Sequence, residues 1–208
     1  MKTDPFDTYH ERYDDWFNKH EKVYESELKA VRGLLPSEGK GIEIGVGSGR
    51  FAYPLSICYG LDPSEKMLRL ADERGIKVVR GVGEKIPFQN ESFDFVLIVT
   101  TICFFDDPQK ALKETARILK PKGAVIIGFI DKNSSLGQIY QKKKDENVFY
   151  SPAHFFSVEE VIELLKKLGF SDLSFVQTIF EGIDTTSVEK PKKGYGEGIF
   201  VVVRAKKK

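Results

Sequence analysis

Gly41-Ile42-Glu43-Ile44-Gly45-Val46-Gly47-Ser48-Gly49-Arg50 passes from an apolar run into a glycine-rich turn. The run reads as the end of a first strand and the turn as the entry to a short helix over RFAYPLS (50–56). Gly45 and Gly47 lack a Cβ, so the backbone can turn sharply there and let a ligand approach. A following helix N-terminus would offer free N–H groups and a field that favours anions. The dinucleotide fingerprint needs a third glycine where Arg50 stands, and the phosphate-binding P-loop needs a Gly-Lys-Ser/Thr that is absent.

Outward from this loop, short apolar runs alternate with helical ones. The runs are GIEIGVG (41–47), ICYGLD (57–62), IKVVRGV (76–82), FDFVLIVTT (93–101) and AVIIGFI (124–130). SEKMLRLADERG (64–75) and DPQKALKETARILKPKG (107–123) carry the helical period between them. Such alternation predicts βαβ units and a parallel sheet covered on both faces.

Upstream, Tyr9, Tyr13, Trp16, Phe17, Val23, Tyr24, Leu28, Val31 and Leu35 recur at helical spacings and predict one or two amphipathic helices, ended by Pro36 and Gly39. Downstream, residues 132–156 form a Lys-rich and then aromatic segment ending in FYSPAHFF. Ser157 and Glu160 form a capping box before VEEVIELLKKLGF. LSFVQTIF (173–180) and GIFVVVRA (198–205) complete the sheet as an antiparallel pair. The chain thus divides into an N-terminal helical lid (1–36), a ligand-binding core (40–131), a cap (132–156) and a C-terminal helix with hairpin (157–208).

Composition narrows the function. The 32 basic and 31 acidic residues leave a net charge of +1, without the positive field that nucleic acid attracts. No apolar stretch approaches the ~18 residues of a membrane span, and the charged first thirty residues contain no signal core, so a cytoplasmic location is expected. Three scattered histidines and two distant cysteines give no metal-ligand spacing. Asp62, closing the second strand before Pro63, Ser64 and Met67, is placed to accept from ribose hydroxyls, which points to a nucleoside-bearing ligand.

Taken in order, EIGVGSGRF (43–51), GLDPSEKML (60–68), GVGEKIPFQNESFDFVLIV (81–99) and DDPQKALKETARILKPKGAVII (106–127) resemble the class I S-adenosylmethionine-dependent methyltransferases. The group of ubiquinone and menaquinone biosynthesis enzymes is the most similar. The resemblance implies a Rossmann-like, doubly wound sheet of seven strands in the order 3-2-1-4-5-7-6, with helices on both faces and an antiparallel last strand. It implies S-adenosylmethionine as cofactor, S-adenosylhomocysteine as product and a small-molecule acceptor.

By the same resemblance, Gly45, Val46 and Gly47 pass beneath the methionine and ribose. Glu43 holds the methionine ammonium, Asp62 the ribose hydroxyls, and Pro63 and Met67 pack near adenine. Thr100 presents its carbonyl to the ammonium, and the N-terminal helix serves as a lid. At the adenine clamp Val82-Gly83-Glu84 replaces the usual Asp-Ala-Glu, and Val82 cannot accept from the adenine amino group. Ile102-Cys103-Phe104-Phe105 stands where relatives often carry a histidine pair, which makes the acceptor side apolar.

Methyl transfer from a sulfonium is an in-line displacement in which alignment alone can contribute ~7–11 kcal/mol. No protein nucleophile is required, and no general base is named by the sequence. His154 is the weak candidate, because imidazole titrates near neutrality. His10, Tyr9 and Tyr13 are the alternatives, and Tyr9, Tyr13, Phe104 and His154 are the expected acceptor-side residues. A binding protein of the same fold without catalysis is the alternative function. A nicotinamide-dependent reductase is disfavoured by Arg50.

Overall fold

Period-two alternation in the middle strands decides which side chains face which layer. In β4 (Phe93–Val99), Val96 and Ile98 join one buried cluster while Phe95, Leu97 and Val99 join the other. In β5 (Leu119–Ile130), Val125, Ile127 and Phe129 oppose Ala124 and Ile126 in the same way. Phe93 joins the cluster of Val96, and beside it the β4–β5 register shifts between Phe93 and Phe95, with the extra residues on β5. Strands apolar on both faces must be covered on both, and helices do so here.

The computed structural model describes residues 4–208; residues 1–3 of the expected lid lie outside the described residues. Three short helices open the chain, α1 (Asp4–Thr8), α2 (His10–Lys19) and α3 (Glu21–Arg32), where one or two were expected. Tyr9 and His20, both non-helical, break the run. Next come β1 (Gly41–Ile44), β2 (Tyr59–Asp62), α4 (Glu65–Glu73) and β3 (Lys77–Arg80), followed by β4. After β4, α5 (Pro108–Ile118) leads into β5, and α6 (Ser135–Lys143) and α7 (Val158–Lys167) follow. The chain closes with β6 (Phe170–Thr178), β7 (Lys192–Lys193) and β8 (Phe200–Lys207).

The sheet order is β3-β2-β1-β4-β5-β8-β6-β7. The pairs among β1 to β5 are parallel, and β8 runs antiparallel to both β5 and β6. The sheet therefore has eight strands, not the seven expected. The extra strand arises because the polar connection after β6 folds back, pairing Lys192 with Gln177 and Lys193 with Val176 at the edge. Leu112 of α5 and Val161 and Leu165 of α7 cover one face; Val31 of α3 and Leu68 and Ala71 of α4 cover the other. No helix among the described residues is long and apolar enough to cross a membrane.

Two local expectations are corrected. Residues 50–56 form consecutive turns, not a short helix. Pro54 has no N–H to give the Arg50 carbonyl, which instead accepts from the Tyr24 hydroxyl of α3. The helical run expected over 107–123 ends at Ile118, and Leu119 already belongs to β5. Pro121 could not have continued the helix.

The α1–α2 segment is pinned across the carboxyl ends of the strands. Asp14 of α2 accepts from Ser48 Oγ at 2.5 Å, Arg50 Nε at 2.8 Å and Arg74 Nη2 at 3.0 Å. Asp7 of α1 accepts from Ser64 Oγ at 2.6 Å. The glycine loop and the N-terminal helices are thus tied through one carboxylate, itself only partly exposed. Asp14→Ala leaves both guanidinium groups without that partner and should cost ~1–3 kcal/mol. A melting temperature several degrees lower, with faster proteolysis at α1–α2, is the expected result. An unchanged melting temperature would show that the Asp14 bonds are dispensable for holding these helices.

Candidate functional site

At the carboxyl end of β1, Gly45, Gly47 and Gly49 all take positive φ (74°, 51° and 84°), the conformation that glycine adopts without strain. A Cβ on Gly45 would lie 2.2 Å from Thr101 Cγ2, whereas one on Gly47 would meet nothing nearer than Tyr13 at 4.0 Å. Gly45 thus lets the β1 and β4 ends approach, and Gly47 turns its open side to a cleft. Gly47 N–H donates to Asp62 Oδ2 at 2.9 Å, and Ser64 N–H donates to Asp62 Oδ1 at 2.9 Å. The cleft is lined by Gly45, Gly47, Asp62, Pro63, Met67, Thr100 and Phe104 under a roof of Phe6 and Tyr13. Its free space is about 30 Å³.

Thr100 is held at φ 48°, unusual for a β-branched residue, with its N–H donating to the Gly128 carbonyl at 2.8 Å. Its own carbonyl accepts from the Cys103 thiol at 3.5 Å, and burial pushes that thiol up to about 12. The protein therefore supplies this carbonyl with only a weak S–H donor.

The donor set fits a nucleoside-bearing cation. Glu43 is 2% exposed, and its Oε2 has no hydrogen-bond partner. Burial first, and the nearby Asp62 charge after it, push the Glu43 carboxyl well above its usual range, against a hydrogen bond from the Ala52 backbone. Burial likewise raises Asp62 to about 6 although the Ser64 and Gly47 amides oppose it. Adjacent buried carboxyls of this kind are relieved by a positive charge. An orphaned acid oxygen and a cradle open at Gly47 match the ammonium, sulfonium and ribose of S-adenosylmethionine.

A second, larger cavity of about 170 Å³ adjoins the cleft and shares Phe6, Tyr13, Thr100 and Phe104 with it. Trp16 and Phe17 of α2, Phe51, Tyr140 of α6, Phe149 and Tyr150 supply further aromatic walls. Phe6 packs edge-on to Tyr13 at 5.4 Å and to Phe104 at 5.2 Å, which joins α1 and α2 to the segment after β4. Glu27 of α3 lines this cavity, is 5% exposed and is raised by burial to about 8. Sequence reasoning missed Glu27. The available signal was an acid on the stripe Val23, Glu27, Ala30, Val31 that α3 buries.

Several expected residues stand elsewhere. Val46 turns its side chain inward, where a Cβ on Gly60 would meet it at 2.7 Å. Val82 bridges to Lys85, and Gly83 packs on the Phe105 ring, so neither lines the cleft. Glu84 Oε1 accepts from the Asp106 and Asp107 amides at 2.8 and 3.3 Å, while its Oε2 is buried without a partner. His154 is exposed, with its ring against Phe156 at 4.8 Å, and lines neither cavity. Tyr9 is 42% exposed, with its ring edge-on to Phe149 at a centroid distance of 6.3 Å, and lines neither cavity. His10 Nδ1 is engaged with the Asp7 carbonyl at 3.2 Å. Among the described residues no cluster of three or more His, Cys, Asp or Glu could hold a metal ion.

A methyltransferase domain model matches residues 42–127. The crystal structure of an S-adenosylmethionine-dependent methyltransferase from Thermotoga maritima, described as a possible histamine N-methyltransferase, is 50% identical. It superposes with a TM-score of 0.97, covering 100% of both chains. An uncharacterized protein of Methanocaldococcus jannaschii is 48% identical over 97% of this chain and 98% of its own. The demethylmenaquinone methyltransferase of Staphylococcus aureus is 31% identical over 53% of this chain and 50% of its own.

Two outcomes are expected. Asp62→Ala should weaken S-adenosylhomocysteine binding by ~1–3 kcal/mol in calorimetry, because ribose hydroxyls would lose their acceptor; equal affinity would remove Asp62 from the site. Glu27, raised from 4.5 to about 8, holds its proton more tightly in the folded chain than in the unfolded one. Its stabilising contribution is therefore complete below 4.5 and is lost as pH rises through about 8. Glu27→Gln should melt like the parent near ~pH 4 and several degrees above it near ~pH 9.

Proposed function

The chain belongs to the S-adenosylmethionine-dependent methyltransferases, and from that footing we propose that it methylates a small molecule held in the aromatic cavity beside the cofactor cleft. S-adenosylmethionine is the cofactor of this fold, and it supplies an electrophilic methyl group on a sulfonium. The observation that carries the acceptor assignment is the set of walls common to both spaces, Phe6, Tyr13, Thr100 and Phe104. A molecule in the larger cavity abuts whatever occupies the cleft.

In this reading Glu43, the Gly45–Gly47 turn, Asp62, Pro63, Met67 and the Thr100 carbonyl hold the cofactor. The α1–α2 segment acts as the lid and residues 132–156 as the cap, together excluding water so that in-line geometry does the work. Nucleic acid is no part of the reading, since the net charge is +1. A cytoplasmic location belongs to it and is supported by the free thiols of Cys58 and Cys103. The histamine named for the Thermotoga relative makes small amines the first acceptors to try.

The test is incubation with methyl-labelled S-adenosylmethionine and panels of small amines, phenols and thiols, alongside transfer RNA and whole-cell protein. Label should pass to a small acceptor, with the product heavier by one methylene and S-adenosylhomocysteine formed in equal amount. Label in RNA or protein alone would overturn the small-molecule assignment.

A further inference from the structure

We propose that the aromatic cavity takes a small apolar amine as its protonated cation, and that Glu27 is the group that grips the ammonium and receives its proton. The proposal rests on the reading of this cavity as the acceptor site. It names the acceptor's chemistry and the residue that selects it.

Glu27 is the only carboxyl among the cavity's lining residues. It is 5% exposed and, among the described residues, has neither an ion-pair nor a hydrogen-bond partner. A buried acid without a partner is costly to fold around, and a structure that retains one gains when a ligand brings the missing charge. The remaining walls suit the same ligand. Trp16, Phe17, Phe104 and Phe149 offer ring faces, which attract cations by their quadrupole and bury an apolar body.

The charged and titratable groups around Glu27 are consistent with this. The Tyr140 and Tyr150 phenols are kept protonated by burial, and each is pushed further that way by the Glu27 charge. The Tyr13 phenol is likewise raised by burial. Among the described lining residues Arg12 is the only cation, and it is exposed, with its guanidinium 5.7 Å from the Phe149 ring centre. Solvent screens it, so it neither neutralises Glu27 nor repels a cation held deeper in.

Size limits the ligand. A dry cavity of ~150 Å³ accepts a single benzene, and this one measures about 170 Å³. One ring or a short alkyl chain bearing an amino group is therefore the scale of the ligand. Burial leaves Glu27 protonated in the empty cavity; the arriving ammonium draws it into the carboxylate form, its proton going to solvent, and an ammonium N–H proton then passes to Glu27 Oε, leaving a neutral carboxylic acid and a neutral amine. The acid is then in the form its burial favours. The nitrogen lone pair is freed to accept the methyl group, which no amine can do while protonated.

The test is calorimetry on the full chain saturated with S-adenosylhomocysteine, using benzylamine and phenethylamine against the matched benzyl alcohol and 2-phenylethanol. The parent should bind an amine in preference to its alcohol. Glu27→Gln should lose roughly tenfold or more in amine affinity while alcohol affinity holds or rises and S-adenosylhomocysteine affinity is unchanged. Turnover of a methylated amine, where measurable, should show the loss in both KM and kcat. Equal amine affinity in parent and variant, preference of the parent for the alcohols, or no binding of either amine would each overturn the proposal. Should the variant not fold, the parent's choice between amine and alcohol decides alone. Failure of S-adenosylhomocysteine to bind the parent would instead strike the underlying methyltransferase reading.

Discussion

Burying a carboxyl group away from any ion-pair partner is costly, and this chain does so at several points around the carboxyl ends of its central strands. Glu43, Asp62 and Glu27 are each less than a tenth exposed, and none has an ion-pair partner among the described residues. Each is held above its usual protonation range by burial. The glycines at 45 and 47, the left-handed Thr100 and the aromatic roof keep this region open enough for a ligand and closed enough to exclude water. Structural economy would have replaced the acids with amides or aliphatic residues of similar size. Their retention ties the architecture to positively charged guests, of which the sulfonium cofactor is the first.

The sheet was largely legible because it depends on local patterns. The alternation of apolar runs with helices predicted the parallel order, and the capping box at Ser157 and Glu160 predicted the start of α7, where both reciprocal bonds are present. The eighth strand was not legible. Lys192 and Lys193 carry no strand pattern of their own and pair only because the connection returns along β6. The turns at 50–56 were half legible, since Pro54 announced a weak helix while the rescue of the Arg50 carbonyl by Tyr24 depends on a helix far back in the chain.

The candidate site divides the same way. Gly45, Gly47, Asp62, Met67 and Thr100 come together because strand ends and spacing fix where they point. Val46, Val82 and Gly83 were assigned by position in a motif, yet the Val46 side chain lies against Gly60, the Val82 backbone bridges to Lys85 and the Gly83 backbone lies against the Phe105 ring, contacts that no motif records. His154 was chosen for its chemistry and its place in the cap segment, and it is exposed. The aromatic cavity could not be read from sequence, because its walls come from segments more than a hundred residues apart. Phe6 and Tyr13 meet Phe149 only in the folded chain.

That cavity and the cofactor cleft share a consequence of timing. Phe6 and Tyr13 roof the cleft and also wall the cavity, so one movement of the α1–α2 segment sets the shape of both. With the segment down, the cleft is too small to admit a nucleoside; with it raised, the cavity loses the walls that define it. Two guests governed by a single door cannot arrive in arbitrary sequence. Were α1–α2 to act as the lid proposed above, the larger guest would be seated first, and its sulfonium would face a chamber that exists only after the door has shut.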